Sequence, residues 1–200
     1  MSALCRQGHR VVAVDSCAGD APANLPGVTY PLASKDELES LRDEFPDQVL
    51  TVVADVRDRA ALGVWNTAAA CVPHMLTGPD PSGCRFVAVA SAAGSCGLFH
   101  LTGYNMVKHA VIGLVRGLAA DLTGTGVAAI AVSPGSTRTE MLAATAALYE
   151  LDDVEHFTAS QLTGRLIDPA EVAETIAFCC SVAGGVLTGS VVSAEGGFRG

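Results

Sequence analysis

The sequence predicts a protein of the α/β class with a mainly parallel sheet. Apolar strand-like runs alternate along the chain with amphipathic helical segments, which is the pattern of βαβ units. Half of the 200 residues are hydrophobic, as expected when helices cover both faces of a parallel sheet and bury its strands. The length suits a single domain, residues 1–200, with a sizeable core.

The first part of the chain contains two predicted strands and their helices. The strands, residues 9–15 (HRVVAVD) and 49–55 (VLTVVAD), both end in an aspartate. Between them the sequence SKDE at residues 34–37 is a capping box, which predicts the start of a helix. Another helix is predicted to begin over 56–62 and to meet a different helical segment over 63–76.

The second part of the chain contains three predicted strands, at residues 85–91, 127–133 and 191–194. The helix after the first of them has apolar residues at core spacing from Val107 to Leu122. A later helix is predicted to start at Asp168, because a cap residue, a proline and a glutamate follow one another in the favoured order.

Ser91, Tyr104 and Lys108 carry the most information about chemistry. Ser91 ends a predicted strand, a glycine-rich loop follows, and the next helix carries Tyr104 and Lys108 four residues apart. Residues i and i+4 share one helix face, so the ammonium group should lower the tyrosine pKa. Such a tyrosine can take a proton from an alcohol or give one to a ketone. A bare Tyr-x-x-x-Lys also arises by chance, and the order of strand, serine, loop and helix is what favours a site.

This arrangement resembles the short-chain dehydrogenase/reductase family, and the likeness runs from Leu4 to Phe198. The resemblance implies a Rossmann-like, doubly wound parallel sheet and an NAD-dependent oxidoreductase that interconverts a secondary alcohol and a ketone. It implies that Tyr104 is the acid/base, that Ser91 orients the substrate, and that Lys108 also binds the nicotinamide ribose.

The resemblance also implies which residues bind the cofactor. Asp15 would accept hydrogen bonds from the adenosine ribose and repel a 2′-phosphate, which favours NAD over NADP; the alternative is that Asp15 caps a loop. Asp55 and Val56 would meet the adenine. The turn after the strand at 127–133 would hold the nicotinamide side with Pro134, Gly135, Thr137 and Thr139. In that turn Thr137 would meet the carboxamide and Thr139 the phosphates.

Two parts of the family pattern are expected to be missing. The chain opens on what looks like the end of the family's first helix, and no Gly-x-x-x-Gly-x-Gly turn is present for the pyrophosphate. Between Leu62 and Gly63 at least one βα unit, roughly 30 residues or more, has no counterpart. The family's first and fourth strands would then be absent and the Rossmann-type dehydrogenase domain partial. The chain is either an incomplete record of an enzyme or a degenerate relative.

A finer resemblance, to the mycofactocin-associated subgroup of the family, rests on three segments: VAVDSCAGDAP with the following YPLASKDELESL, GLVRGLAADLTGTG, and ATAALYELDDVEHF. It implies tightly held NAD and mycofactocin as the electron acceptor. Residues 142–161 would then form a helical lid over the substrate. Its apolar lining would be Met141, Leu148, Tyr149 and Phe157. Ordinary amphipathic packing explains the same four residues.

Charge and cysteine use exclude other classes of function. A net charge of −9 argues against nucleic-acid binding, and no apolar run of about 18 residues indicates a membrane span. Seven scattered cysteines without a C-x-x-C pair indicate reduced thiols in a cytoplasmic protein, and the five histidines lack metal-ligand spacing. By the resemblance we expect a homo-oligomer, a dimer or tetramer, that acts on a small alcohol or ketone.

Two other functions stay open beside the dehydrogenase. The absent glycine-rich turn favours a catalytically impaired remnant that serves only as a binding or oligomer-forming module. A serine hydrolase is disfavoured, because the sequence contains no Gly-x-Ser-x-Gly elbow.

Overall fold

The computed structural model describes residues 5–6, 8, 11–15, 35–46, 48–53 and 60–199. The chain divides into two compact units, residues 1–63 and 64–200. Each unit is described by itself below.

The first unit contains a parallel pair of strands and one helix. Strand β1 (Val11–Asp15) pairs with β2 (Val49–Val53) in register from Val11 opposite Val49 to Asp15 opposite Val53. Helix α1 (Lys35–Glu44) has acidic residues in its first turn and Arg42 in its last, as the helix dipole favours. Both predicted strands and the predicted helix are confirmed.

The remaining elements follow the predicted order. They are α2 (Ala60–Thr77), β3 (Arg85–Val89), α3 (Thr102–Asp121), β4 (Ala128–Pro134), α4 (Glu140–Leu148), α5 (Pro169–Cys180) and β5 (Val191–Ala194). Helix α2 is continuous, whereas the sequence predicted two segments that meet at 62–63. The alanines on both sides of Gly63 favour helix strongly enough to carry it through one glycine.

The second unit is built on a three-stranded parallel sheet in the order β3-β4-β5. Its middle strand, β4, is buried on both faces, as the hydrophobic composition predicts. Ala129 and Ala131 pack in a cluster with α3, while Ile130 and Val132 pack with Cys179 of α5. The α/β class with a parallel sheet is therefore confirmed.

The parallel sheet brings the carboxyl ends of β3, β4 and β5 to one edge. The loops after these strands hold Ser91, the 134–139 turn and the 195–198 turn, so this edge is where a ligand site is expected.

Helix α5, which precedes β5, begins with the predicted capping box, in which the Asp168 side chain accepts a hydrogen bond from the Ala170 amide at 2.8 Å. None of the described helices is both long enough and apolar enough to cross a bilayer.

Candidate active site

Ser91 lies directly beyond β3 and begins a short 3₁₀ turn, Ala92–Gly94. Its hydroxyl oxygen accepts a hydrogen bond from the Ala93 amide at 3.2 Å. The turn lies against α3 because Gly94 has no side chain: a Cβ there would sit 2.8 Å from the Lys108 carbonyl oxygen. Gly94 therefore joins the serine turn to the helix that carries Tyr104 and Lys108. The sequence analysis recognised a glycine-rich loop but not this close approach.

Tyr104 and Lys108 lie one turn apart on α3, as predicted. The Lys108 Nζ lies 5.5 Å from the centroid of the Tyr104 ring and donates a hydrogen bond to the Val89 carbonyl at 3.0 Å. Burial lowers the pKa of Lys108, because desolvation penalises its charged form. The structure thus places a cation between the tyrosine ring and the end of β3, two residues before Ser91.

Asn105, beside Tyr104, holds the loop that precedes the helix. Its Nδ2 donates to the Leu98 carbonyl at 2.9 Å, and its Oδ1 accepts from the Leu98 amide at 3.2 Å. This two-point contact fixes the 95–101 loop to the first turn of α3. The sequence alone gave no sign of it, because the pairing depends on how the loop folds back.

The Pro134–Thr139 turn follows β4 and meets the end of β5. The Gly135 amide donates to the Ala194 carbonyl at 3.2 Å, and a Cβ at Gly135 would lie 2.7 Å from the Glu195 carbonyl oxygen. Only glycine fits such a distance without a shift of backbone. The Thr137 hydroxyl donates to the Gly135 carbonyl at 3.0 Å, and Thr139 caps α4 by accepting from the Leu142 amide at 3.3 Å.

Gln161 and the two residues after it connect the turn after β4 with the turn after β5. Gln161 is 4% exposed, and its Nε2 donates to the Ser136 carbonyl at 2.9 Å. The next two amides, of Leu162 and Thr163, donate to the carbonyls of Gly197 and Gly196 at 3.0 and 3.1 Å. The end of the lid segment, residues 142–161, is therefore tied both to the turn after β4 and to the turn after β5.

The lid segment consists of most of α4 and a 3₁₀ helix, Val154–Ser160. Of its four predicted lining residues, Met141 and Leu148 are 50% and 52% exposed. The rings of Tyr149 and Phe157 pack with centroids 5.9 Å apart, and the Tyr149 hydroxyl donates to the Phe99 carbonyl at 2.6 Å. Two of the four residues therefore pack within the segment, and two face solvent.

The predicted adenosine residues lie in the first unit. The backbone of Asp15 ends β1, and Asp55 and Val56 lie outside the described residues. Across the described ranges no group of three or more His, Cys, Asp or Glu side chains is arranged to hold a metal ion.

Comparison with known proteins shows the family. A family model described as enoyl-(acyl carrier protein) reductase matches residues 33–199. An A-factor type gamma-butyrolactone 1'-reductase (1S-forming) of Streptomyces virginiae is 32% identical over 148 residues, 74% of this chain and 56% of that protein. A (-)-trans-carveol dehydrogenase of Rhodococcus erythropolis is 27% identical over 256 residues, covering 97% of this chain and 90% of that protein. That alignment is longer than the 200 residues of this chain, so the relative contains residues without counterpart here.

Solved structures share the fold. The carveol dehydrogenase of Mycobacterium avium in complex with NAD superimposes with a TM-score of 0.76 at 20% identity, over 94% of this chain and 87% of that chain. Structures similar to this chain hold NAD or NADP. The chain spans about half the length of the first two curated relatives it matches, 56% of one and 46% of the other. Because the family model matches most of its residues, the chain belongs to the short-chain dehydrogenase/reductase family.

Proposed function

We propose that this protein is an oxidoreductase that interconverts a secondary alcohol and a ketone, with Tyr104 as the acid/base. One observation carries the proposal: Lys108 is held between the Val89 carbonyl and the Tyr104 ring, 3.0 Å from the one and 5.5 Å from the centroid of the other. A partly buried cation kept beside a phenol suits a site where negative charge develops on oxygen.

In the direction of oxidation, the proposed reaction removes one proton and one hydride from the alcohol. The alcohol hydroxyl gives its proton to the Tyr104 oxygen while the carbinol carbon loses a hydride and becomes the ketone carbon. A nicotinamide, when bound, supplies the hydride acceptor. The Ser91 hydroxyl donates to the substrate oxygen and keeps it beside Tyr104, and the Lys108 ammonium stabilises the charge on the tyrosine oxygen. Reduction reverses each transfer.

We assign the nicotinamide end of such a cofactor to the turn after β4, which packs against the end of β5 at Gly135, where a Cβ would lie 2.7 Å from the Glu195 carbonyl oxygen. Thr137 lies in the same turn. Lys108 would reach the nicotinamide ribose. Asp15 supports NAD over NADP through the charge of its carboxylate.

The affinity for NAD, the electron acceptor and the cellular location are proposed from the sequence. We extend the proposal to tightly held NAD, to mycofactocin as the electron acceptor and to a cytoplasmic location, which the subgroup segments and the reduced cysteines support. A small apolar secondary alcohol suits the exposed Met141 and Leu148 of the lid segment. By their names, the relatives described above are a gamma-butyrolactone 1'-reductase and a carveol dehydrogenase.

We also propose a homo-oligomer that forms through the face of α2 and α3. A cleft of about 380 Å³ lies there, lined by Trp65, Ala68, Ala69, Val72, Pro73, Leu114, Gly117, Leu118 and Asp121. Trp65 is 53% exposed, and a Cβ at Gly117 would meet no atom within 4 Å. Light scattering after size exclusion should show a dimer or tetramer, and Trp65→Glu should yield monomers.

A second candidate function is that of an impaired remnant that binds or oligomerises without turnover. The residues of the carveol dehydrogenase that have no counterpart here favour it. We propose that these losses include a segment between Leu62 and Gly63.

Replacement of Tyr104 by phenylalanine separates the two functions. In a preparation that oxidises alcohols, Tyr104→Phe should reduce kcat by about 10²-fold or more, because only the proton-transferring hydroxyl is lost. The fold, followed by circular dichroism, should not change. The control is Thr175→Val, which also removes one hydroxyl but lies on α5. Undiminished turnover in Tyr104→Phe would falsify the assignment, and no turnover in any preparation supports the remnant.

A further inference from the structure

The Tyr149 hydroxyl makes a long-range contact that a lining role does not require. It donates a 2.6 Å hydrogen bond to the carbonyl of Phe99, 50 residues away in sequence. Phe99 belongs to the 95–101 loop, and Tyr149 belongs to the lid segment. The bond therefore joins the lid segment to the loop that precedes α3, the helix that carries Tyr104.

The acceptor end of this bond is held in place. Asn105 fixes Leu98 through the two hydrogen bonds described above. His100 then adopts φ 56°, a left-handed conformation that is uncommon for a residue other than glycine, and so orients the peptide that carries the Phe99 carbonyl. The Phe99 side chain itself is 75% exposed, so its position is not set by core packing.

The donor end is held just as firmly. Tyr149 caps α4, and Glu150 follows with φ 57° while the Leu151 amide donates to the Ala146 carbonyl at 2.9 Å, which is a left-handed helix end. The ring of Phe157 packs against the Tyr149 ring. Burial raises the pKa of Tyr149, so its hydroxyl remains a donor at neutral pH.

We propose that the lid segment and the 95–101 loop wall a substrate cleft next to Tyr104, and that Tyr149 is a positioning residue whose hydroxyl fastens these two segments together and so fixes the width of that cleft. The consequence for substrates rests on the proposed function, whereas the fastening itself does not. Loss of the hydroxyl frees both segments, and the cleft then admits bulkier alcohols and holds small ones less well.

Hydrogen exchange of the 200-residue chain tests the fastening without any need for activity. Tyr149→Phe should speed amide exchange in residues 95–101 and 146–151 by about tenfold or more, because both segments lose their mutual contact. Thr145→Val is the matched control, since the Thr145 hydroxyl donates to the Met141 carbonyl within the same helix, α4. Asn105→Ala is the positive control for release of the loop. Unchanged exchange of residues 95–101 in Tyr149→Phe overturns the proposal.

Two further measurements keep the test decisive. Should Tyr149→Phe fail to fold, the unaltered chain serves: exchange of the two segments should respond to denaturant with the same slope, and different slopes overturn the proposal. In an active preparation, Tyr149→Phe should raise the KM for a small alcohol severalfold while the KM for NAD stays constant. Faster exchange without any turnover supports the fastening and counts against the proposed function, whereas turnover with unchanged exchange does the reverse.

Discussion

The second unit and the first unit contribute differently to the proposed site. In the second unit Ser91, Tyr104 and Lys108 come from one continuous β3–α3 stretch, and Gly94 packs the turn after Ser91 closely against α3. In the first unit Asp15 ends a strand of a two-stranded parallel sheet, more than 70 residues before Ser91 in the sequence. The residues proposed for the chemistry therefore depend on local contacts, whereas the residue proposed to select the cofactor depends on long-range folding.

The largest effect is expected at Lys108. Lys108→Ala should lower kcat/KM by about 10²-fold or more and weaken nicotinamide binding, because both the charge beside Tyr104 and the ribose contact are lost. Lys108→Arg keeps the charge and should retain part of the activity. Steady-state kinetics and NAD titration of an active preparation check this. Equal loss of activity in the alanine and arginine variants would mean that charge is not what Lys108 supplies.

A second effect concerns the packing of the serine turn. Gly94→Ala should destabilise the protein by about 1–3 kcal/mol, since the new Cβ would sit against the Lys108 carbonyl and Ile112. Gly97→Ala in the same loop meets no atom within 4 Å and should change stability by less than about 0.5 kcal/mol. Urea unfolding of both variants measures the difference. Equal midpoints would show that the turn does not need the close approach.

These residues show what sequence can and cannot predict. Local sequence patterns are enough to predict the strands β3 and β4 and the one-turn spacing of Tyr104 and Lys108. The Asn105–Leu98 clamp and the bond from Gln161 to Ser136 join residues whose proximity depends on the folded loops. A buried amide at position 161 carries no signal in a single sequence, because its partner is a backbone carbonyl 25 residues away.

The first unit offers a test of cofactor choice. Asp15→Ser should weaken NAD binding and narrow the preference for NAD over NADP, because the carboxylate that repels a 2′-phosphate is gone. The expected change in the ratio of the two dissociation constants is about tenfold, or about 1.4 kcal/mol. Asp43→Ser, on α1, is the control. Should the unaltered protein titrate NAD and NADP alike, Asp15 does not select the cofactor.

The smallest effect lies away from the site, at the start of α5. Glu171 binds Arg165 through two 2.7 Å hydrogen bonds and accepts from the Asp168 amide, which lowers the pKa of Glu171 to about 2. A depressed carboxyl pKa stabilises the fold above the unfolded value of 4.5, and this contribution is lost as the pH falls toward 2. Between pH 4.5 and pH 2 the free energy of unfolding of Glu171→Gln should therefore fall less than that of the unaltered protein. Glu174→Gln, on the same helix, should unfold like the unaltered protein.

The proposal that the β3–α3 stretch carries the chemistry while NAD binding depends on additional βα units is tested most directly by calorimetric titration of NAD. Two proteins are compared after size exclusion: the 200-residue chain, and a chain with a first βα turn and a βα segment restored between Leu62 and Gly63. We expect little or no binding by the first, and micromolar affinity together with better solubility in the second. A monodisperse 200-residue chain that binds NAD with micromolar affinity would contradict this account and would point to a rearranged, working minimal fold.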